Sequence, residues 1–105
     1  MYILTLKVNR DRLYLVQEES DSIPTGTNEP VTLYFDLSPE WKNAAVVVGF
    51  YNAERECSPQ VLMEDSYCKV PPEATTGYWF RLQVLGRTKD GVIQTNKLTI
   101  LQNGG

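Results

Sequence analysis

Apolar and polar side chains alternate with a period of two from one end of this chain to the other, and helix-period stretches are hard to find. A chain patterned this way folds as strands or not at all. Tyr2, Leu4, Leu6 and Val8 alternate with Ile3, Thr5 and Lys7, and Leu13–Gln17 follows the polar turn Asn9-Arg10-Asp11-Arg12, so a first hairpin is expected. Val31, Leu33, Phe35 and Leu37 share one face of a half-buried antiparallel strand, with Thr32, Tyr34 and Asp36 on the other. The β-branched, nearly continuous run Ala44–Tyr51 suits a central strand covered on both faces. Gln60–Met63 and Ser66–Val70 are two short runs that a tight hairpin turn at Glu64-Asp65 would join. In Tyr78–Gly86 the alternation turns Phe80, Leu82 and Val84 inward and Trp79, Arg81 and Gln83 outward. Asp90-Gly91 then marks a hairpin turn into a long final strand, Val92–Leu101.

Turn formers separate these runs. Ser20–Pro30 holds two prolines and reads as a loop, Ser38-Pro39-Glu40 can start a single helical turn, and Pro71–Gly77 is a further non-strand connection. Seven to eight short strands with turn chemistry between them predict an all-β, antiparallel β-sandwich. It forms a single domain over 1–105, with 102–105 as a loose end. Its expected core is Leu33, Phe35, Val46, Val48, Phe50, Phe80, Leu82, Val84, Leu98 and Ile100.

The residue inventory then removes functions. A chain of 105 residues fills one core and not two. A net charge of −3 without clustered cations argues against a phosphate-tracking nucleic-acid binder. Histidine is absent, which removes Ser-His-Asp and Cys-His catalysis together with the commonest metal ligand, and neither a Walker A loop nor GxGxxG occurs. The longest apolar run, Ala44–Phe50, is too short for a membrane-spanning helix, and Met1–Lys7 does not read as a secretory signal, so a cytoplasmic origin is expected. Cys57 and Cys68 are then expected as unpaired thiols, Cys68 facing the core, although a hairpin-closing disulfide is sterically conceivable.

What remains is weak chemistry and one surface. Glu54, Glu56, Glu64 and Asp65 could supply paired carboxylates, but a sandwich this small has little bulk for a cleft, and they read as solvated turn residues. Asp21, Asn28 and Glu29 could chelate calcium, yet their spacing matches no EF-hand. Neither a cofactor nor a metal is expected. Tyr34, Tyr51, Trp79 and Arg81 are expected to point away from the core, as an interface, a sugar-stacking platform or ordinary sheet surface would have them.

The run Val31–Trp41 (VTLYFDLSPEW), Phe50, Cys68-Lys69-Val70-Pro71-Pro72-Glu73, Gly77, Leu82–Gly86 and Thr95-Asn96 together resemble a small β-sandwich of phages infecting Firmicutes. In that family, F-x-F-S-x-E-W is followed by a strand ending in Phe, a Cys-x-(Val/Ile)-Pro-x-Glu segment, a strand ending V-x-G and a Thr-Asn. The chain is thus similar to the immunoglobulin-like N-terminal modules of baseplate upper proteins and other tail-associated proteins, over about Val31 to Gly104. The resemblance implies a virion structural or assembly module, made in the host cytoplasm, that contacts other phage structural proteins and forms homo-oligomers, without membrane insertion. A module recognising host-surface glycans and a small inhibitor of a host protein are the alternatives. The matching positions have structural roles: Phe35, Phe50 and Cys68 in the sandwich, Trp41 plugging one end, Pro71 ending a strand where the chain changes sheets, and Gly86 allowing a bulge or a close crossing.

Overall fold

The computed structural model describes residues 2–16, 23, 30–52, 55–62 and 65–102. Among the described residues ten strands form: β1 (Tyr2–Asn9), β2 (Arg12–Leu15), β3 (Val31–Leu37), β4 (Ala45–Asn52), β5 (Arg55–Glu56), β6 (Gln60–Val61), β7 (Tyr67–Lys69), β8 (Trp79–Thr88), β9 (Gly91–Gln94) and β10 (Leu98–Leu101). They make two packed sheets, ordered β2-β1-β3-β7 and β10-β8-β4-β5, with β6 added to β4 and β9 to β8. The protein is an all-β sandwich.

In the first sheet the expected hairpin forms, with Leu6 opposite Leu15 and Val8 opposite Leu13. Arg10 turns the corner at φ 60°. The next strand departs from expectation, because β3 runs parallel to β1, from Tyr2 opposite Val31 to Val8 opposite Leu37. β2 already occupies one side of β1, and the connection returns the chain to the start of β1, where the Tyr2 N–H donates to the Pro30 carbonyl at 3.0 Å. From there β3 can only set out in the direction of β1. The sandwich is therefore mixed rather than wholly antiparallel. Of the expected loop Ser20–Pro30, only Ile23, buried in the core, and Pro30 are among the described residues.

The second sheet is built around β4 and β8, paired from Ala45 opposite Arg87 to Tyr51 opposite Arg81. Each outer course is broken once by an extra residue. Residues 57–59 stand against 49 and 50 between the β5 and β6 pairings, and residues 95–97 stand against 83 and 84 between β9 and β10. Such bulges split two courses into four strands, which is why ten strands appear in place of seven to eight and why Val92–Leu101 is not continuous. At the second bulge Thr95 replaces a ladder partner: its N–H donates to the Val84 carbonyl and its hydroxyl accepts the Val84 N–H, both at 3.0 Å.

The tight hairpin expected at Glu64-Asp65 does not form. β6 pairs with β4 in the second sheet and β7 with β3 in the first, so the chain changes sheets there; Met63 and Glu64 lie outside the described residues. The chain changes sheets again after Pro71, as expected, through a 3₁₀ turn at Pro72–Thr75 that leads to β8. Gln102 does not belong to a loose end. It is buried, with its N–H on the Tyr78 carbonyl at 2.7 Å and its side-chain amide on the Thr75 carbonyl at 3.0 Å. Residues 103–105 lie outside the described residues.

Phe35, Phe50 and Phe80 fill the space between the sheets with Leu6, Leu33, Leu82, Val8, Val48 and Val84. Burial stabilises each of these side chains by about 1.5–3 kcal/mol. Of the expected core only Leu98 is half-buried, and Cys68 faces inward as expected. Trp41, on a 3₁₀ turn at Pro39–Trp41, closes one end with its indole N–H on the Arg10 carbonyl at 2.7 Å. Beneath it Gly86 keeps regular pairing with Val46 and Ile93, so its role is close approach and not a bulge.

Candidate functional site

Alternation along β4 and β8 brings Tyr51, Trp79 and Arg81 to the outer face of the second sheet. Arg81 lies opposite Tyr51 on one side and Thr99 on the other, and Leu101 lies opposite Trp79. The Arg81 guanidinium stands over the Trp79 ring at 5.1 Å and its Nε donates to the Thr99 hydroxyl at 3.2 Å. Next to it, the Lys97 ammonium stands over the Tyr51 ring at 4.4 Å. Both rings are half-buried, whereas Leu101 is 76% exposed.

Tyr34 is not part of this face. It sits on the outer face of the first sheet, tilted against Tyr67 with ring centroids 5.1 Å apart. The core separates the two, because a period of two assigns a residue to one side of its own sheet without saying which sheet that is. Three of the four candidates therefore come together and the fourth belongs to a different surface. The residues that complete the face, Lys97, Thr99 and Leu101, were not singled out from sequence. The extra residue at 95–97 resets the phase of the final course, so that Val92 and Gln94 face the same way as Thr99 and Leu101. A Thr-Asn pair inside an apparent strand was the available signal.

The chemistry of this face is recognition. A cation stacked on an aromatic ring at an exposed site contributes about 0.5–1 kcal/mol, enough to bias a long side chain toward the ring without desolvating its charge. Two such pairs side by side give a positive, partly apolar surface on a protein whose net charge is −3. Glu56, opposite Tyr51, is the acidic residue in register with it.

Other reactive groups have structural partners. Glu73 accepts the Ser58 N–H at 3.1 Å, and its carboxyl is held below 4.5 by its own backbone N–H and by the Ser58 backbone and side chain. Glu40 is held low by the Ser38 hydroxyl, by its own backbone N–H and by Arg10. Cys57 and Cys68 are free thiols; burial pushes Cys68 up to about 11, and burial together with the Glu73 carboxylate raises Cys57. Glu56 and Asp65 are exposed, while Glu54 and Glu64 lie outside the described residues, as do Asp21, Asn28 and Glu29. Among the described residues, no group of three His, Cys, Asp or Glu side chains could hold a metal ion, and no helix is long and apolar enough to cross a membrane. Compared with protein-family models, with curated proteins and with solved structures, the chain matches none of them.

Proposed function

We propose that this chain is a non-enzymatic phage structural or assembly module, associated with the tail or baseplate, that works by protein-protein contact through the outer face of its second sheet. One observation carries the contact: the stacked pairs Trp79–Arg81 and Tyr51–Lys97 stand side by side beside the exposed Leu101. Tyrosine, tryptophan and arginine are the residues that dominate binding energy at protein interfaces, and here the cations already stand over the rings. The positive face suits a partner surface that presents carboxylates among apolar side chains.

The tail assignment rests on the resemblance of Val31–Trp41, Cys68–Glu73 and Thr95-Asn96 to Firmicutes phage modules. Support for an immunoglobulin-like arrangement comes from the way the chain changes sheets between β3 and β4, between β6 and β7, and between β7 and β8. The module would belong to the virion and need no cofactor. Glycan recognition is the weaker reading, since a sugar stacking on Trp79 or Tyr51 competes with the cation already placed over each ring.

The test is capture of purified structural proteins from the same phage on immobilised chain, comparing the native protein with Trp79→Ala plus Arg81→Ala. Hot-spot losses of about 2 kcal/mol or more correspond to at least about a 30-fold fall in affinity. Undiminished capture by the double variant would remove this face as the contact.

A further inference from the structure

The edges of the two sheets are not equally guarded. On the outer edge of β2, the Leu13 N–H donates to the Asn96 side-chain carbonyl at 2.8 Å and the Leu13 carbonyl accepts from the Asn96 amide at 3.2 Å, so a side chain occupies the place of a neighbouring strand. β7 is three residues long, ends in Lys69 and is followed by Pro71, and β5 and β6 are two residues each with Pro59 between them. Short strands, lysine, proline and bulges are the devices that keep sheet edges from pairing. β10, Leu98-Thr99-Ile100-Leu101, follows Lys97 and the bulge at 95–97 but holds no lysine, proline or bulge within its own four residues.

The direction of its free backbone groups follows from the ladder. The Gln102 N–H donates to the carbonyl of Tyr78, the residue before β8, at 2.7 Å, so by alternation Ile100 and Leu98 also turn their backbone groups to β8. Thr99 and Leu101 then turn both N–H and C=O to the outside. The 3.2 Å contact between the Arg81 and Thr99 side chains fits this register, because side chains stand closest at the pairs that exchange no backbone bonds.

We propose that β10 pairs antiparallel with β10 of a second copy of this chain, about a two-fold axis at Ile100. Thr99 of each copy then faces Leu101 of the other, and each such pair exchanges both of its backbone hydrogen bonds. The occupant is a second copy because this edge is self-complementary: the two outward residues are related by the axis, and the strand carries no charge to repel its twin. The exposed Leu101 side chain gains the Thr99 of the other copy as a neighbour, and the two second sheets become one continuous sheet. This pairing does not depend on the Trp79–Arg81 contact proposed above.

The test measures mass by sedimentation and amide exchange by nuclear magnetic resonance over a range of concentrations. The expected result is a dimer in which the Thr99 and Leu101 amides slow about fivefold at a total protein concentration about ten times the dissociation constant, where about a fifth of the chains remain monomeric by mass action. The Ile100 and Gln102 amides should be protected at every concentration. Leu101→Pro deletes an outward N–H without touching the β8 ladder, and Leu101→Lys adds an edge lysine at an exposed position; both should be folded monomers. Trp79→Ala plus Arg81→Ala should remain dimeric. A native monomer at all concentrations would overturn the proposal. So would a dimer that survives both Leu101 variants, one whose Thr99 and Leu101 amides stay unprotected, or one lost with Trp79 and Arg81.

Discussion

Trp41 and Gly86 touch so closely that a Cβ on Gly86 would stand 2.7 Å from Cζ3 of the indole. Gly86 keeps a regular strand pairing, and it is there for space rather than for backbone freedom. The indole cannot retreat, being buried and tied to the Arg10 carbonyl. Gly86→Ala should therefore cost about 1–3 kcal/mol by overpacking, read as a lower urea midpoint with an unchanged slope. In a Trp41→Leu background the same substitution should cost measurably less, since residues in contact do not act additively. Equal costs in both backgrounds would mean that the strain lies elsewhere.

The second prediction concerns the bulge. The Thr95 hydroxyl accepts the buried Val84 N–H and donates to the Asn96 carbonyl at 2.8 Å. Thr95→Val keeps the shape but strands that N–H, so it should destabilise by about 1–3 kcal/mol, whereas Thr95→Ser should retain most of the stability. Asn96→Ala should act at a distance in sequence: the Leu13 amide loses its acceptor and should exchange faster, with β4 and β8 unaffected. A Leu13 amide that exchanges at the native rate would show that β2 is closed by something other than Asn96.

These devices mark the boundary of what was legible in the sequence. The in-out phase of β8 could be read directly, because Phe80, Leu82 and Val84 alternate with Trp79, Arg81 and Gln83 across one uninterrupted strand. The core positions of Phe35 and Phe50 were legible for the same local reason, whereas the end-plugging role of Trp41, on a 3₁₀ turn, followed from its place after Ser38-Pro39-Glu40. The parallel pairing of β1 with β3 was not, since it depends on where the connection after β2 returns the chain. The phase reset at 95–97 depends on a hydroxyl standing in for a carbonyl, which no periodicity records. Nor could the face around Arg81 be assembled beforehand, because Lys97 and Thr99 reach it only across that bulge.

Thiol reactivity gives a third prediction. Only the thiolate attacks, and burial holds the Cys68 thiol up at about 11, while Cys57, raised by burial and the Glu73 carboxylate, remains partly accessible. Near pH 8, a disulfide reagent should label Cys57 first, and Cys68 should react only as β7 opens, so that urea accelerates the second thiol much more than the first. The raised value also stabilises the fold below the unfolded thiol's pKa, a contribution lost as pH rises through about 11. Labelling of both thiols at one rate would contradict the burial of Cys68.

Acid titration gives the last prediction, because Glu73 and Glu40 both clamp backbone from the surface and both have carboxyls held low. A folded value below the unfolded one means that the stabilisation is present above the unfolded pKa and disappears as pH falls through the folded one. Glu73→Gln should thus lower the urea midpoint at pH 7, and the gap from the native protein should close as pH falls below the ordinary carboxylate range and through the lower folded value, where the native carboxyl protonates. Salt separates the two clamps. Glu73 works mainly through N–H donors, which screening leaves largely intact, whereas part of the Glu40 effect comes from the exposed Arg10 guanidinium 3.6 Å away. Raising ionic strength to about 1 M, where the Debye length is about 3 Å, should shrink the cost of Glu40→Gln and leave that of Glu73→Gln nearly unchanged. Equal salt sensitivity in the two variants would mean that Glu73 acts as a charge and not as the acceptor that ties the Pro72–Thr75 turn to the bulge at 57–59.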